Sequence, residues 1–324
     1  MDTWSKRGLT VGVLAVTFSG TSAVRAAPPA SAPPGPAVTA LLSVATDGRQ
    51  GDADSFDPSL SADGSTVAFA SLATNLAATG PVTAKVVGVF ARDQRTGRTV
   101  RISDAPGGAA ANGDSRAPAV SGDGSAVAFE SRASNLVAGD GNGASDVFVW
   151  DRASGRTTRV SVGSDGSEGN GASGAPSISA DGRFVAFATD AGNVTPGDAN
   201  RASDVFVHDG QTGRTALVGA GDGGSPSDRG SFTPSLSADG RFVAFVTDAP
   251  LVAGDTNGTE DVYVADVSSG ARRRVSVASD GTQGDQPSTG PSLSGDGSAV
   301  AFESLATDLV VADSNGAEDV FWRR

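Results

Sequence analysis

The chain has 324 residues, no cysteine and a formal net charge of −13 at pH 7. The lack of cysteine excludes disulfides and a lipid-modified cysteine, so packing alone must stabilise the fold, and a chain of this length can bury enough apolar surface to do so. The negative charge argues against nucleic acid as a partner, because phosphates need clustered lysine and arginine.

Residues 1–26 have the pattern of a secretory signal peptide. Lys6 and Arg7 precede an apolar stretch at 8–18, and small residues lead from there to Ala26, as in cleaved signals. A retained membrane anchor is the alternative, but polar and glycine residues interrupt a stretch that is shorter than the roughly 20 apolar residues of a span. We therefore expect a secreted protein, extracellular or in the cell envelope, with no membrane span in its mature chain.

A proline-rich segment, 27–38, follows and predicts an extended linker without packed structure. The rest of the chain, 39–324, contains five repeats at intervals of about 58 residues. Each repeat has S-x-D-G and then V-A-F, and the V-A-F tripeptides begin at Val67, Val127, Val185, Val243 and Val300. Short apolar runs between Gly, Ser, Asp and Asn, without helical periodicity, predict an all-β domain.

Each repeat divides into four short strands, which the fourth copy places at 234–236, 241–246, 261–265 and 273–277. The Asp-Gly pair of S-A-D-G suits a tight hairpin turn between the first two strands. One four-stranded sheet cannot bury both of its faces, so we predict a five-bladed β-propeller of four-stranded antiparallel blades. The predicted blades cover about 58–104, 117–162, 176–218, 234–277 and 291–324.

A duplicated segment predicts how the ring closes. SVATDGRQGD at 43–52 is nearly repeated as SVASDGTQGD at 276–285, and the fifth repeat ends at Arg324 without a fourth strand. We therefore predict that 41–45 completes the last blade and covers its open edge. The alternative is an open arc that exchanges strands with a second molecule; on the closed interpretation the protein is a monomer.

The pattern P-S-[LI]-S-x-D-G-x-x-V-A-F, which recurs in the repeats, resembles the WD40-like (PD40) repeat of TolB-type β-propellers. The resemblance covers nearly the whole mature chain and implies a propeller fold. It implies no particular activity, because such blades occur in periplasmic scaffold proteins, peptidase side domains and some lyases. The additional α/β domain and six-bladed ring of TolB have no counterpart here, so its partners are not transferred.

Meander topology puts the connections between strands two and three and between successive blades on one side, which we call the long-loop face. The opposite side, the short-turn face, carries the tight turns. Most of the 37 acidic residues lie in the long connections. Such a surface either keeps an exported protein soluble or attracts a cationic partner.

A D-x-N-x-x-x-D pattern in four of the long loops is the candidate metal site. Alternating oxygen donors suit Ca²⁺, with an affinity in the weak extracellular range of about 10⁻⁴ to 10⁻³ M. The alternative is that Asp and Asn only shape a turn through bonds to the backbone. The residues are Asp140, Asn142 and Asp146; Asp198, Asn200 and Asp204; Asp255, Asn257 and Asp261; and Asp313, Asn315 and Asp319.

Catalytic motifs are few. Cysteine and G-x-S-x-G are absent, which excludes the common nucleophilic triads, and the single histidine, His208, is expected to be a solvated turn residue. Glu130 and Glu303 replace small apolar residues of the repeat and could serve a glycosidase. We predict a non-catalytic binding or scaffold propeller for an unidentified protein, cell-wall polymer or cation, with a secreted glycosidase or lyase as the alternative.

Overall fold

A computed structural model describes residues 39–77, 86–198, 200, 202–219, 227, 229–311 and 313–324. The predicted signal peptide, 1–26, and linker, 27–38, lie outside these residues. The described part consists of strands, turns and loops, and it contains no helix of the length and apolar character that crossing a membrane requires.

The strands form five antiparallel sheets in chain order, as the repeat predicts. Blade one comprises β1 (Ser55–Leu60), β2 (Thr66–Ser71), β3 (Gly88–Asp93) and β4 (Thr99–Arg101). Blade two comprises β5 (Ser115–Val120), β6 (Ala126–Ser131), β7 (Asp146–Asp151) and β8 (Arg156–Arg159). Blade three comprises β9 (Ser173–Ile178), β10 (Phe184–Thr189), β11 (Asp204–Asp209) and β12 (Arg214–Leu217). Blade four comprises β13 (Ser231–Leu236), β14 (Phe242–Thr247), β15 (Asp261–Asp266) and β16 (Arg272–Arg274). Blade five has β17 (Ser288–Leu293), β18 (Val300–Ser304) and β19 (Asp319–Arg323).

The phenylalanine of each V-A-F forms the centre of its blade. Phe69 of β2 lies opposite Phe90 of β3 in the ladder, and the two rings stack with centroids 5.8 Å apart. Such offset pairs add about 0.5–1.5 kcal/mol to the burial of their area. The other blades have the same pair: Phe129–Phe148, Phe187–Phe206, Phe245–Tyr263 and Phe302–Phe321.

The S-x-D-G turns form as predicted, and their aspartates close them. Asp63 accepts hydrogen bonds from Ser61 Oγ at 2.8 Å and from the Ser65 amide at 2.9 Å. Gly64 has φ +70°, the left-handed conformation that glycine adopts without steric cost.

The first strand of every blade contains a bulge that the repeat does not predict. The residue before the proline that recurs in each first strand has a positive φ, and the pairing register shifts there. Four of the five are not glycine, and the β-branched Thr233 at φ +48° is the most strained by type. The five residues are Asp57, Ala117, Ala175, Thr233 and Gly290.

Successive blades share apolar cores and backbone hydrogen bonds. One buried cluster joins Val89 of blade one to Phe129 and Phe148 of blade two, and similar clusters join blades two to three, three to four and four to five. Ser59 Oγ accepts a hydrogen bond from the Val120 amide of the next blade at 3.0 Å. Each blade is therefore fixed against its successor along the chain.

The predicted pairing of 41–45 with the last blade is not observed. Blade five has three strands, and 41–45 forms no ladder with β19 among the described residues. The segment lies instead on blade one, where Thr99 Oγ1 donates to the Val44 carbonyl at 2.7 Å. Val320 and Trp322 of β19 remain 76% and 63% exposed. No buried apolar cluster of the described part joins blade five to blade one, so closure of the ring is not observed.

Candidate functional site

The asparagines of the four D-x-N-x-x-x-D loops hold turns and do not present oxygen to a metal. Asn142 Oδ1 accepts a hydrogen bond from the Ala144 amide at 2.7 Å, and its Nδ2 donates to Asp146 at 3.1 Å. The backbone bond fixes which end of the amide faces the aspartate. Metal ligation by the asparagines stays a prediction that these hydrogen bonds do not favour, and the turn-forming bond is present in all four: Asn142, Asn200, Asn257 and Asn315.

In blade two, an arginine occupies the space between the carboxylates. Arg159 Nη1 lies 2.5 Å from Glu168 Oε1, 3.6 Å from Asp146 Oδ2 and 3.7 Å from Asp140 Oδ1. The three acids have ligand atoms within 4.8 Å of one another. Asp146 is fully buried and also accepts a 2.6 Å hydrogen bond from Ser161. The guanidinium thus stands where a bound cation would stand.

Burial dominates the protonation of the two aspartates in this cluster. It raises the pKa of Asp140 and of Asp146, and Arg159 opposes the rise at both carboxyls. The more exposed Glu168 has a lowered pKa: burial works against the shift, while the Gly141 amide, Arg159 and the Asn142 amide produce it.

Blade four repeats the arrangement. Arg274 Nη1 lies 3.2 Å from Asp255 and 3.4 Å from Asp261, and its side chain is 8% exposed. Asp261 accepts from Ser276 at 2.5 Å, and Tyr263 donates its hydroxyl to Asp255. With a guanidinium between the carboxylates here too, we do not expect Ca²⁺ at the predicted ligands of blades two and four.

Blade three has both aspartates, but other residues replace the arginine and the serine that bind them in blades two and four. Leu217 faces Phe206 in the ladder, at the position where Arg159 faces Phe148 in blade two. Gly219 stands where the other blades have the serine that donates to the aspartate. The register of the ladder therefore places Leu217 and Gly219 at the positions of the arginine and the serine of blades two and four.

Within the described part of the chain, no positive charge is paired with the two aspartates of blade three. Asp204 is fully buried and Asp198 is 9% exposed. Asn200 donates to Asp204 Oδ2 at 2.9 Å, but neither Asp204 Oδ1 nor Asp198 Oδ1 has a hydrogen-bond partner in the described part of the chain. Burial raises the pKa of Asp204 to about 6; Asn200 counteracts this rise and the charge of Asp198 adds to it.

Blades one and five differ from this arrangement of two buried aspartates and an arginine. In blade one Gly88 replaces the last aspartate, and Arg101 fills the space beside it and pairs with Asp104 at 3.3 Å. In blade five Asp313 and Asp319 are half-exposed, and Asp319 accepts from the loop asparagine at 3.0 Å. The predicted ligands of blade five are therefore largely solvated.

A second interaction, which the sequence pattern does not predict, joins the long loops to one another. Asp52 accepts from the Thr74 amide at 2.7 Å and from its hydroxyl at 2.5 Å, while the Asp52 amide donates to Asn75. Asp285 binds Thr307 in the same way between blades four and five. Part of the acidity of this face is therefore structural. The signal in the sequence is an Asp or Asn three residues before each first strand.

Glu130 and Glu303 lie in different blades, and Glu130 lines a cavity of about 300 Å³ together with Asp114 and Arg116. Glu130 Oε2 accepts a 3.3 Å hydrogen bond from the Ala175 amide, so it supports the bulge of the next blade. Glu303 lies in β18 and packs beside Gly290 of its own blade. A groove of about 610 Å³ between blades one and two is lined by Trp150 but not by either glutamate.

His208 is buried, contrary to the prediction of a solvated turn residue. Its Nδ1 lies 2.9 Å from Thr215 Oγ1, and burial lowers its pKa. The side chain points into the junction with the preceding blade, because Thr215 also donates to the Val162 carbonyl of that blade. This position gives the histidine a packing role.

Similarity to known proteins is found among solved structures. No protein-family model matches the chain, and no curated protein matches it in sequence. Among solved structures, TolB from Acinetobacter baumannii matches at 18% identity and a TM-score of 0.45, over 79% of this chain and 53% of TolB. The chain thus spans about half of that protein. Putative TolB from Agrobacterium tumefaciens matches at 15% identity and a TM-score of 0.48, over 83% of this chain and 81% of that one.

An oligogalacturonate lyase, solved in complex with manganese, matches at 13% identity and a TM-score of 0.50, over 85% of this chain and 66% of the lyase. At this identity the likeness extends to the fold alone. Together with the five antiparallel sheets, it supports the β-propeller fold that the repeat predicts.

Proposed function

We propose that this protein is a secreted, non-catalytic binding or scaffold propeller whose long-loop face binds a cationic partner, either a protein segment or a cell-wall polymer. The observation that carries the proposal is the concentration of acidic residues, many of them exposed, in the long connections of this face. The N-terminal pattern at 1–26 supports export.

On the short-turn face, carboxylates at the ends of third strands are paired with arginine. Asp209 receives two hydrogen bonds of 2.8 Å from Arg183, and Asp266 is paired with Arg241 at 2.7 Å. Such forked pairs neutralise charge locally and fix the side chains. This face therefore offers little net negative charge for a partner.

On the long-loop face, exposed carboxylates are held by neutral donors. Asp165 accepts from Ser167 and Asp280 from Thr282, through the backbone amide two residues ahead. Asp285 is also exposed and bonded to Thr307. These bonds orient the carboxylates and leave their charges uncompensated, so their field attracts a cationic surface.

A matched pair of double variants tests the proposal. Asp165→Asn with Asp280→Asn removes two charges from the long-loop face. Asp181→Asn with Asp296→Asn removes two charges from the short-turn face, where each exposed aspartate also accepts from the amide two residues ahead. The two proteins have the same net charge and lose the same type of turn contact.

We expect a fluorescent oligolysine peptide, used as the probe, to bind the wild-type protein in a salt-dependent manner. The long-loop variant should bind more weakly than the short-turn variant. Equal weakening in both would mean that only net charge matters and would contradict the proposal. Cleavage of a glycan that disappears on Glu130→Gln would contradict its non-catalytic part.

A further inference from the structure

Among the described residues, three oxygen atoms of blade three lack the hydrogen-bond or ionic partner that their equivalents in blades two and four have. Arg159 donates Nη2 to the Gly139 carbonyl and Arg274 donates to the Gly254 carbonyl, each at 3.2 Å. The equivalent carbonyl in blade three belongs to Gly197, which accepts no hydrogen bond from the backbone of the described residues. The second oxygen is Asp198 Oδ1, whose equivalents in Asp140 and Asp255 pair with arginine. The third is Asp204 Oδ1, whose equivalents accept from the serine hydroxyls that Gly219 replaces.

Two buried carboxylates without a counter-charge are costly. Removal of an ion from water costs several kcal/mol even after the protein relaxes, unless an opposite charge offsets it. Blades two and four meet this cost with a guanidinium that is itself about nine-tenths buried. Blade three has Leu217 at that position, and the shorter side chain brings no charge. A cation from solution, a proton or a residue outside the described part must therefore complete the pair.

We propose that blade three binds one Ca²⁺ ion between Asp198 and Asp204, at the position that Arg159 and Arg274 occupy in the neighbouring blades. The Gly197 carbonyl supplies a third oxygen and water completes the shell. An all-oxygen set without histidine or cysteine favours a hard cation over transition metals. Ca²⁺ tolerates an irregular set of carboxylate and carbonyl ligands, whereas Mg²⁺ demands near-octahedral geometry. The proposal does not depend on what the long-loop face binds.

The test uses the full-length protein after treatment with chelator. We expect Ca²⁺ in the millimolar range to raise the Tm, because a ligand of the folded state stabilises it, and Mg²⁺ to have a smaller effect. Asp204→Asn keeps the shape of the side chain and removes one charge. This variant should lose most of the Ca²⁺ response and should be no less stable than the wild type in chelator.

A second variant controls for effects of Asp204→Asn on folding that do not involve Ca²⁺. Leu217→Arg restores the guanidinium of blades two and four and should abolish the Ca²⁺ response while the protein stays folded. A wild-type protein that shows no Ca²⁺-dependent rise in Tm would overturn the proposal and leave a shared proton as the explanation. A rise that persists in both variants would also overturn it, because the ion would then bind elsewhere.

Arg201 lies outside the described residues and follows Asn200 in the sequence. Arg201→Gly matches Gly143 and Gly258, the equivalent residues of blades two and four, and tests whether this arginine supplies the missing charge. We expect wild-type and Arg201→Gly proteins to respond alike to Ca²⁺. A response in Arg201→Gly alone would overturn the proposal, since the arginine would then occupy the site.

Discussion

Replacing Arg159 by leucine should strongly destabilise blade two, because it reproduces the arrangement of blade three with one more acid. The guanidinium is 10% exposed and faces Asp140, Asp146 and Glu168 at 3.7, 3.6 and 2.5 Å. Removing one member of a buried ion pair typically costs about 3–5 kcal/mol, since the remaining charge stays buried and unpaired. Glu168 is partly exposed and can reach water, so we expect the lower end, about 3 kcal/mol.

The assay is thermal unfolding in chelator at neutral pH, followed by circular dichroism. In a domain of this size, 1 kcal/mol shifts the Tm by roughly 2 °C, so Arg159→Leu should lower the Tm by about 6 °C. Arg156→Leu is the control: it lies in the same strand but is exposed, and surface changes usually stay within about 0.5 kcal/mol. Equal shifts in the two variants would refute the neutralising role of Arg159.

Three further predictions concern other parts of the fold. Thr233→Gly should raise the Tm by about 2 °C, because relief of about 1–2 kcal/mol of left-handed strain exceeds the entropic cost of glycine; a lower Tm would show that the bulge is unstrained. The Ser65 amide and hydroxyl and the Ser61 hydroxyl lower the pKa of Asp63 to about 2 from 3.8. Its stabilisation is therefore complete above pH 3.8 and is lost as the pH falls through about 2, so Asp63→Asn should make the Tm less sensitive to pH over this range; an unchanged slope would contradict the assignment. Burial lowers the pKa of His208 below 6.5, so the neutral ring is favoured by folding and stability falls as it becomes protonated at lower pH. Because it is the single histidine, its C2–H resonance should titrate with a midpoint below 6.5, and a higher midpoint would place the ring in solvent.

Local pattern predicts the blades well. The V-A-F runs become the second strands, and the S-x-D-G turns form where the sequence places them, because both depend on residues close in the chain. The bulge before each proline is missed, since a positive φ at Ala117 or Thr233 is imposed by pairing with the second strand and not by residue type.

Closure of the ring by 41–45 is not observed, and the reason is different. The segment 43–52 does repeat the local structure of 276–285: Ala45 bonds to Arg49 as Ala278 bonds to Thr282. It also docks on the following blade as its copy does, since Arg92 donates to Val44 and Arg323 to Val277. Pairing with β19 depends in addition on the angles between all five blades, and no local pattern contains those angles.

The arginine in the predicted metal cluster could not be predicted from the motif, because this residue lies outside it. Asp140 and Asp146 do lie together, but the arginine between them comes from the fourth strand, 13 residues beyond Asp146 in the chain. The register of the ladder places Arg159, Leu217 and Arg274 at the same point of successive blades. Only an alignment of the fourth strands by this register distinguishes blade three from its neighbours.

The most direct measurement is the number of Ca²⁺ ions bound per chain, determined by isothermal titration calorimetry on three proteins. If a guanidinium and a calcium ion are alternative occupants of the same position, wild-type protein binds one ion, Leu217→Arg binds none, and Arg159→Leu binds two. The same stoichiometry in all three proteins would contradict the exchange of arginine for a cation at this position.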